Sequence, residues 1–280
     1  MAGLWPHAAM GPVERTVRRH CLEWTDCEGY AAGMRWTALL SLMGLALGAG
    51  MLVAGEHQVG EPRSLAQEPD LVRVCPGLPH VTVRAAEGPD AEAACDGAAR
   101  ALVFLVRAGL NAPSDTRIDI LPELPGELSG LAVGCYMPEN QRVSILSFKA
   151  FQAGGGWFQM PPSTELYRAA ASHEVAHAVV GCHSEPRRPA VAAHEYVAYV
   201  VFFATMDAGL RTALLAKFSG TGFRTVGQIS DISHIVNPNQ FGVDAWRHYL
   251  KVKNGAQWLR NIIAGEVFLE PADDPSASMR

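Results

Sequence analysis

The chain has no surplus of positive charge. Its 280 residues carry 23 Lys and Arg against 28 Asp and Glu, a formal net charge of −5. No basic stripe is therefore available to neutralise a phosphate backbone, and nucleic acid is not an expected partner. Internal repeats are missing too, which removes the stacked-repeat architectures. Long apolar runs are confined to one place. Residues 36–55 form an uncharged stretch of the length that just spans a bilayer.

That stretch follows Arg35, with Arg15, Arg18 and Arg19 further upstream, and Glu56 comes after it. The basic flank predicts an inside N-terminus and an exported remainder. The small residues at its end also suit a signal peptide, preferred here over an uncleaved anchor. On either reading residues 56–280 lie outside the cytoplasm, periplasmic or extracellular, and membrane contact is limited to residues 36–55. Four cysteines follow the stretch, Cys75, Cys95, Cys135 and Cys182. An even number in an exported chain suggests disulfides, and the pairs Cys75–Cys95 and Cys135–Cys182 are preferred among the three connectivities.

The most specific signal is His173-Glu174-Val175-Ala176-His177. Histidines four apart on a helix share a face and can grip one metal ion, while Glu174 is rotated off that face, beside the metal without ligating it. Pro162 and Ser163 mark a helix start, and Gly181 with the Pro-rich residues 185–189 marks its end. Leu166, Ala169, Ala170, His173, His177 and Val180 fall on one side of this helix and Ala171, Val175 and Val179 on the other, so it is apolar nearly all round.

The rest of the pattern predicts an α+β domain over residues 75–270. A leader (1–35), the apolar stretch (36–55) and a linker (56–74) precede it, and a disordered tail (271–280) follows. Residues 80–84 and 117–121 alternate like strands, and 90–110 read as an amphipathic helix. Residues 131–136 and 142–148 form a hairpin around Pro138-Glu139-Asn140. A second helical stretch, 191–206, begins just after the motif helix. Residues 208–218, 240–252 and 256–263 are also helical.

A small mixed sheet layer, a motif helix and a mainly helical C-terminal part resemble the zincins, the zinc metallopeptidases. Within them the chain resembles the gluzincins, whose third ligand is a Glu on the following helix. Glu195 and Ala198 match their Asn-Glu-x-x-Ala motif, with His194 in place of the Asn. Where some gluzincins place an acid four residues after that Glu, this chain has Tyr199. The resemblance implies Zn²⁺ held by His173, His177 and Glu195. Two alternatives for the third ligand stay open: His183, which completes a metzincin-like H-E-x-x-H-x5-H string with its Gly one residue late, and His194. Cys135 is placed before the motif much as the ligating Cys of peptide deformylase, whose other motifs are absent.

The resemblance further implies hydrolysis of peptide or other amide bonds, with Glu174 as base towards water polarised by the metal and His234 as donor to the developing oxyanion. Tyr196 and Tyr199 are secondary candidates for that donor, and Asp207 and Asp231 could orient the ligating histidines. Residues 142–147 are the candidate strand along which a peptide or protein substrate would add. The competing expectation is a zincin-fold binding module at the cell envelope, with a structural zinc and no turnover.

Overall fold

The computed structural model describes residues 71–125, 132–184 and 191–268. The leader, the stretch 36–55, residues 56–70 of the linker and the tail 271–280 lie outside the described residues. Within them, five strands and eight α-helices form an α+β fold. No helix among the described residues is long and apolar enough to cross a membrane.

The folded region begins earlier than residue 75. Leu71–Cys75 is strand β1, paired antiparallel with β2 (Leu78–Ala85). A disulfide between Cys75 and Cys95 ties the end of β1 to the next element, helix α1 (Gly88–Arg107). Helix α1 starts with a proline in its first turn, where the missing N–H costs nothing. It buries Ala91, Ala94, Cys95, Ala98, Ala101, Leu102 and Leu105, a stripe at helical spacing.

Strand β3 (Thr116–Leu121) pairs parallel with β2 on one side and with β5 (Arg142–Leu146) on the other. Strand β4 (Gly134–Met137) closes the sheet antiparallel to β5, giving the order β1-β2-β3-β5-β4. The hairpin between β4 and β5 turns through Pro138–Asn140, as the sequence predicts. Val83, Ile118 and Val143 lie in register across three strands and are fully buried. On the opposite face Asp119 sits between Arg84 and Arg142, with Arg142 Nε 3.0 Å from Asp119 Oδ2.

After the short helix α2 (Phe148–Ala153) comes the motif helix α3 (Thr164–His183). Ser163 caps it, accepting from the Leu166 N–H at 3.2 Å. Glu165 in its first turn pairs with Arg100 of α1 at 2.7 Å. Helices α1 and α3 touch backbone to backbone. A Cβ on Gly97 would lie 2.5 Å from the Arg168 carbonyl oxygen, and Ser172 Oγ donates to the Gly97 carbonyl at 2.9 Å.

Gly181 does not end α3, contrary to the sequence reading. The helix runs two residues further, and the glycine is needed because the Tyr136 ring of β4 presses on it, 2.9 Å from where a Cβ would stand. Helix α4 (Val191–Thr205) folds back against α3 and is buried on nearly every side. Helices α5 (Ala208–Leu215), α6 (Asp231–Val236), α7 (Pro238–Tyr249) and α8 (Gly255–Ile263) complete the chain's helical half.

The expected Cys135–Cys182 disulfide is not formed. Strand alternation explains it. Gly134 and Tyr136 both face α3, against Glu174 and Gly181, so Cys135 between them points to the other face of the sheet. Cys182 is buried on α3, on the side of the sheet that Cys135 faces away from.

Candidate metal centre

The one-turn spacing of the motif brings His173 and His177 side by side on α3, with Nε2 atoms 3.2 Å apart. Helix α4 reverses direction after α3 and delivers Glu195 from its second turn. Glu195 Oε2 lies 3.5 Å from His173 Nε2, and Oε1 lies 3.7 Å from His177 Nε2. Donor atoms of these three residues all fall within 4.8 Å of one another, a grouping that could hold a metal ion. The contact between the two Nε2 atoms supports that reading. At most one of them carries a hydrogen between the rings, and with both nitrogens deprotonated two lone pairs and a carboxylate converge on one point.

Electrostatics follow from burial and from this convergence. For Glu195, burial alone favours the neutral acid, but His177, His173 and His234 around it hold its pKa down at about 2. His177 is pushed down to about 3 by burial, against the opposing charge of Glu195. Burial also disfavours a charged His173, yet the hydrogen bond it donates to Glu195, the charges of Glu174 and Glu195 and the Ala198 backbone carbonyl raise it above its ordinary value.

Glu174 is 5% exposed and lies against strand β4, close enough to His173 and Glu195 to feel their charges. Burial raises its pKa to about 7, and the neighbouring Glu195 adds to the rise. A carboxyl poised near neutrality can accept or return a proton, as general acid–base catalysis requires.

His234 also arrives at the site. Helix α6, capped by Ser230, sets its Nε2 3.5 Å from Glu195 Oε2. It stays outside the compact three-donor group.

Other sequence candidates are directed elsewhere. Because α3 continues to its own position, His183 cannot curl back, and its Nε2 meets the Asn111 carbonyl at 3.0 Å. His194 Nε2 bonds Ser184 Oγ at 3.1 Å, and burial lowers its pKa to about 4. Cys135 faces away from α3, as its strand position dictates. The Tyr196 hydroxyl is engaged with His248 Nδ1 at 2.7 Å, on the far side of α4. Tyr199 is at the site, but as a ring: its centroid is 4.6 Å from that of His173.

Neither Asp207 nor Asp231 orients His173 or His177. Asp207 caps α5 through the Gly209 and Leu210 N–H groups, and Asp231 accepts from the Ala192 N–H at the start of α4. The proposed substrate strand needs correction as well. Strand β5 is hydrogen-bonded on both sides, so the edge next to the site is β4.

Two residues of the site escape a reading of the sequence. Gly134 makes room for Glu174: a Cβ there would lie 2.6 Å from Glu174 Cγ. Trp157, before the motif helix, sets its ring edge-on to His173 at 5.7 Å. Neither carries a spacing signal, since each reaches the site through tertiary contact alone.

No curated protein and no solved structure matches the chain. A family pattern does match, over residues 81–272, which include β3 to β5, the motif helix, Glu195 and His234. The chain belongs to that family, described as a family of unknown function (DUF6639).

Proposed function

We propose that the protein is a zinc-dependent hydrolase of amide bonds with a zincin-like, gluzincin-type centre. The observation that carries the reading is the convergence of His173, His177 and Glu195 beside a buried Glu174 that is not one of the donors. The donor set is the His₂Glu set of catalytic zinc sites. The separations of 3.2 Å between the two Nε2 atoms and 3.5 Å from His173 Nε2 to Glu195 Oε2 lie close to the roughly 3.3 Å between two ligand atoms each about 2.0–2.1 Å from a tetrahedral centre.

When bound, zinc supplies a Lewis acid that acidifies water and polarises a carbonyl. The chain's own residues supply the rest. Glu174 takes the proton of the attacking water and returns it to the leaving amine, a role served by a carboxyl whose pKa is about 7. His234, next to the donor group but not in it, donates to the oxygen that becomes negative. Gly134 keeps the space that the Glu174 carboxyl occupies. Strand β4, the edge of the sheet among the described residues, lies beside Glu174, and an extended peptide would add along it.

A second reading, a binding module with a structural zinc, draws on His234. It lies 3.5 Å from Glu195, near enough for a small rotation to add a fourth donor and close the site. The two readings separate on Glu174, since a structural site needs no base.

Purified protein should contain one zinc per chain and cleave a mixed peptide library, and Glu174→Gln should keep the metal and lose turnover. Absence of stoichiometric zinc eliminates both readings. Zinc without cleavage by either protein favours the binding module.

A further inference from the structure

A histidine that holds a metal normally donates its second ring N–H to a carboxylate or carbonyl, and that bond fixes the rotation of the ring. His173 has only a loose form of that support, from the Ala198 backbone carbonyl. Its Nδ1 is buried without a well-formed hydrogen bond. Rings surround it instead: Tyr199 at 4.6 Å and 58°, Trp157 at 5.7 Å and 84°, and Phe202 at 6.5 Å and 88°.

The backbone that presents Trp157 is unusual. Trp157 and Met160 exchange both backbone hydrogen bonds, at 3.2 and 2.9 Å, around a two-residue turn. The central residues, Phe158 and Gln159, have φ of 54° and 58°. This mirror-image turn is ordinarily made by Asn-Gly or Asp-Gly, and a bulky residue in the left-handed region is an outlier. Gly156 before it has φ of 113°, and a Cβ there would lie 2.1 Å from the Met160 carbonyl oxygen.

The turn is anchored by Phe158, which is fully buried and stacks on Phe202 at 5.1 Å and 20°. Tyr199 is fixed from its other side, wedged where a Cβ on Gly242 would come within 2.7 Å of its ring. Backbone strain persists only where the surroundings over-determine it, and here it sets a partly exposed indole against a candidate ligand.

We infer that Trp157 and Tyr199 are positioning residues for the metal, clamping the His173 imidazole in the rotation that aims Nε2 at Glu195 and His177. Aromatic packing supplements the poorly formed backbone bond at the ring, doing work that a well-placed acceptor does elsewhere. The inference rests on the metal-site reading given above, without requiring that the protein be a hydrolase.

The test is cobalt and zinc binding by the metal-stripped full chain, followed by the visible spectrum of bound Co²⁺ and by competition with a chromophoric chelator. Trp157→Ala and Tyr199→Leu should each weaken binding by about 10–100-fold and alter the Co²⁺ spectrum, while Trp157→Phe and Tyr199→Phe, which keep a ring, should stay within about threefold of wild type. Trp157→Leu replaces Trp157→Ala if the smaller side chain prevents folding. Wild type that binds one cobalt, with truncated variants that bind as tightly and give the same spectrum, overturns the clamp. A wild-type chain that binds neither metal overturns the metal site itself, and the clamp with it.

Discussion

Gly134 on the edge strand and Glu174 on the motif helix are packed so closely that a single added methyl cannot fit. A Cβ on Gly134 would stand 2.6 Å from Glu174 Cγ and 2.7 Å from Cδ, with the Ser144 carbonyl oxygen 2.8 Å away on the other side. The strand cannot yield easily, because β4 is hydrogen-bonded to β5 at this point. The carboxyl must therefore move. Gly134→Ala should lower turnover of a cleavable peptide by about 100-fold, the usual consequence of shifting a catalytic group by an ångström. Metal content should be unchanged, since none of the three donors touches Gly134. Loss of metal along with activity would show that the glycine serves the fold and not the base.

Glu174 should destabilise the metal-free protein at neutral and alkaline pH. Burial raises its pKa from 4.5 to about 7. A raised carboxyl pKa means the folded state holds the proton more tightly, so the penalty is absent below the unfolded value, grows between pH 4.5 and about 7, and is complete above that. A shift of this size corresponds to about 3 kcal/mol. In chelator, Glu174→Gln should therefore melt higher than wild type at pH 8, with the difference vanishing near pH 4. A difference independent of pH would place the effect in packing and not in ionisation.

How much of this was readable beforehand depends on the range of each signal. The His173–His177 pair needed only helical spacing. The hairpin of β4 and β5 needed only alternation around a turn. Glu195 was located through a resemblance and a short connection between helices. Signals failed where a residue's meaning lies across the fold. Gly181 has the composition of a helix stop, yet it accommodates Tyr136. Cys135 and Cys182 form a plausible pair in number, but the alternation of β4 turns Cys135 away. Strand β1 adjoins a polar linker and is specified by its pairing with β2 and its disulfide. The Phe158-Gln159 turn has none of the residues that announce its conformation.

Mutation of the donors should rank them by geometry. His173→Ala, His177→Ala and Glu195→Ala should each reduce zinc affinity by more than the roughly 10–100-fold typical of outer partners of a ligand. His183→Ala should leave affinity unaltered, because its ring is occupied by the Asn111 carbonyl outside the site. His194→Ala should have a small effect at most, through its stacking 6.3 Å from His177. Chelator competition measures all five. An effect of His183→Ala equal to that of Glu195→Ala would reassign the third ligand.

The Cys75–Cys95 bond should dominate the redox dependence of stability. It closes a separation of 20 residues and, with the pairing on β2 and the Arg73–Glu92 ion pair, holds β1 at the edge of the sheet. A loop of this size restricts the unfolded chain by about 3 kcal/mol. For a domain of roughly 200 residues that amounts to a fall in Tm of about 6–12 °C in the Cys75→Ala/Cys95→Ala double variant. Both sulfurs are buried, Cys75 at 2% and Cys95 at 6% exposure, so mild reductant should act slowly on the folded protein. Peptide mapping after alkylation of the unreduced, unfolded chain should recover Cys75 and Cys95 linked, and Cys135 and Cys182 alkylated. A linked Cys135–Cys182 peptide would contradict the facing of β4, and with it the placement of Gly134 over Glu174.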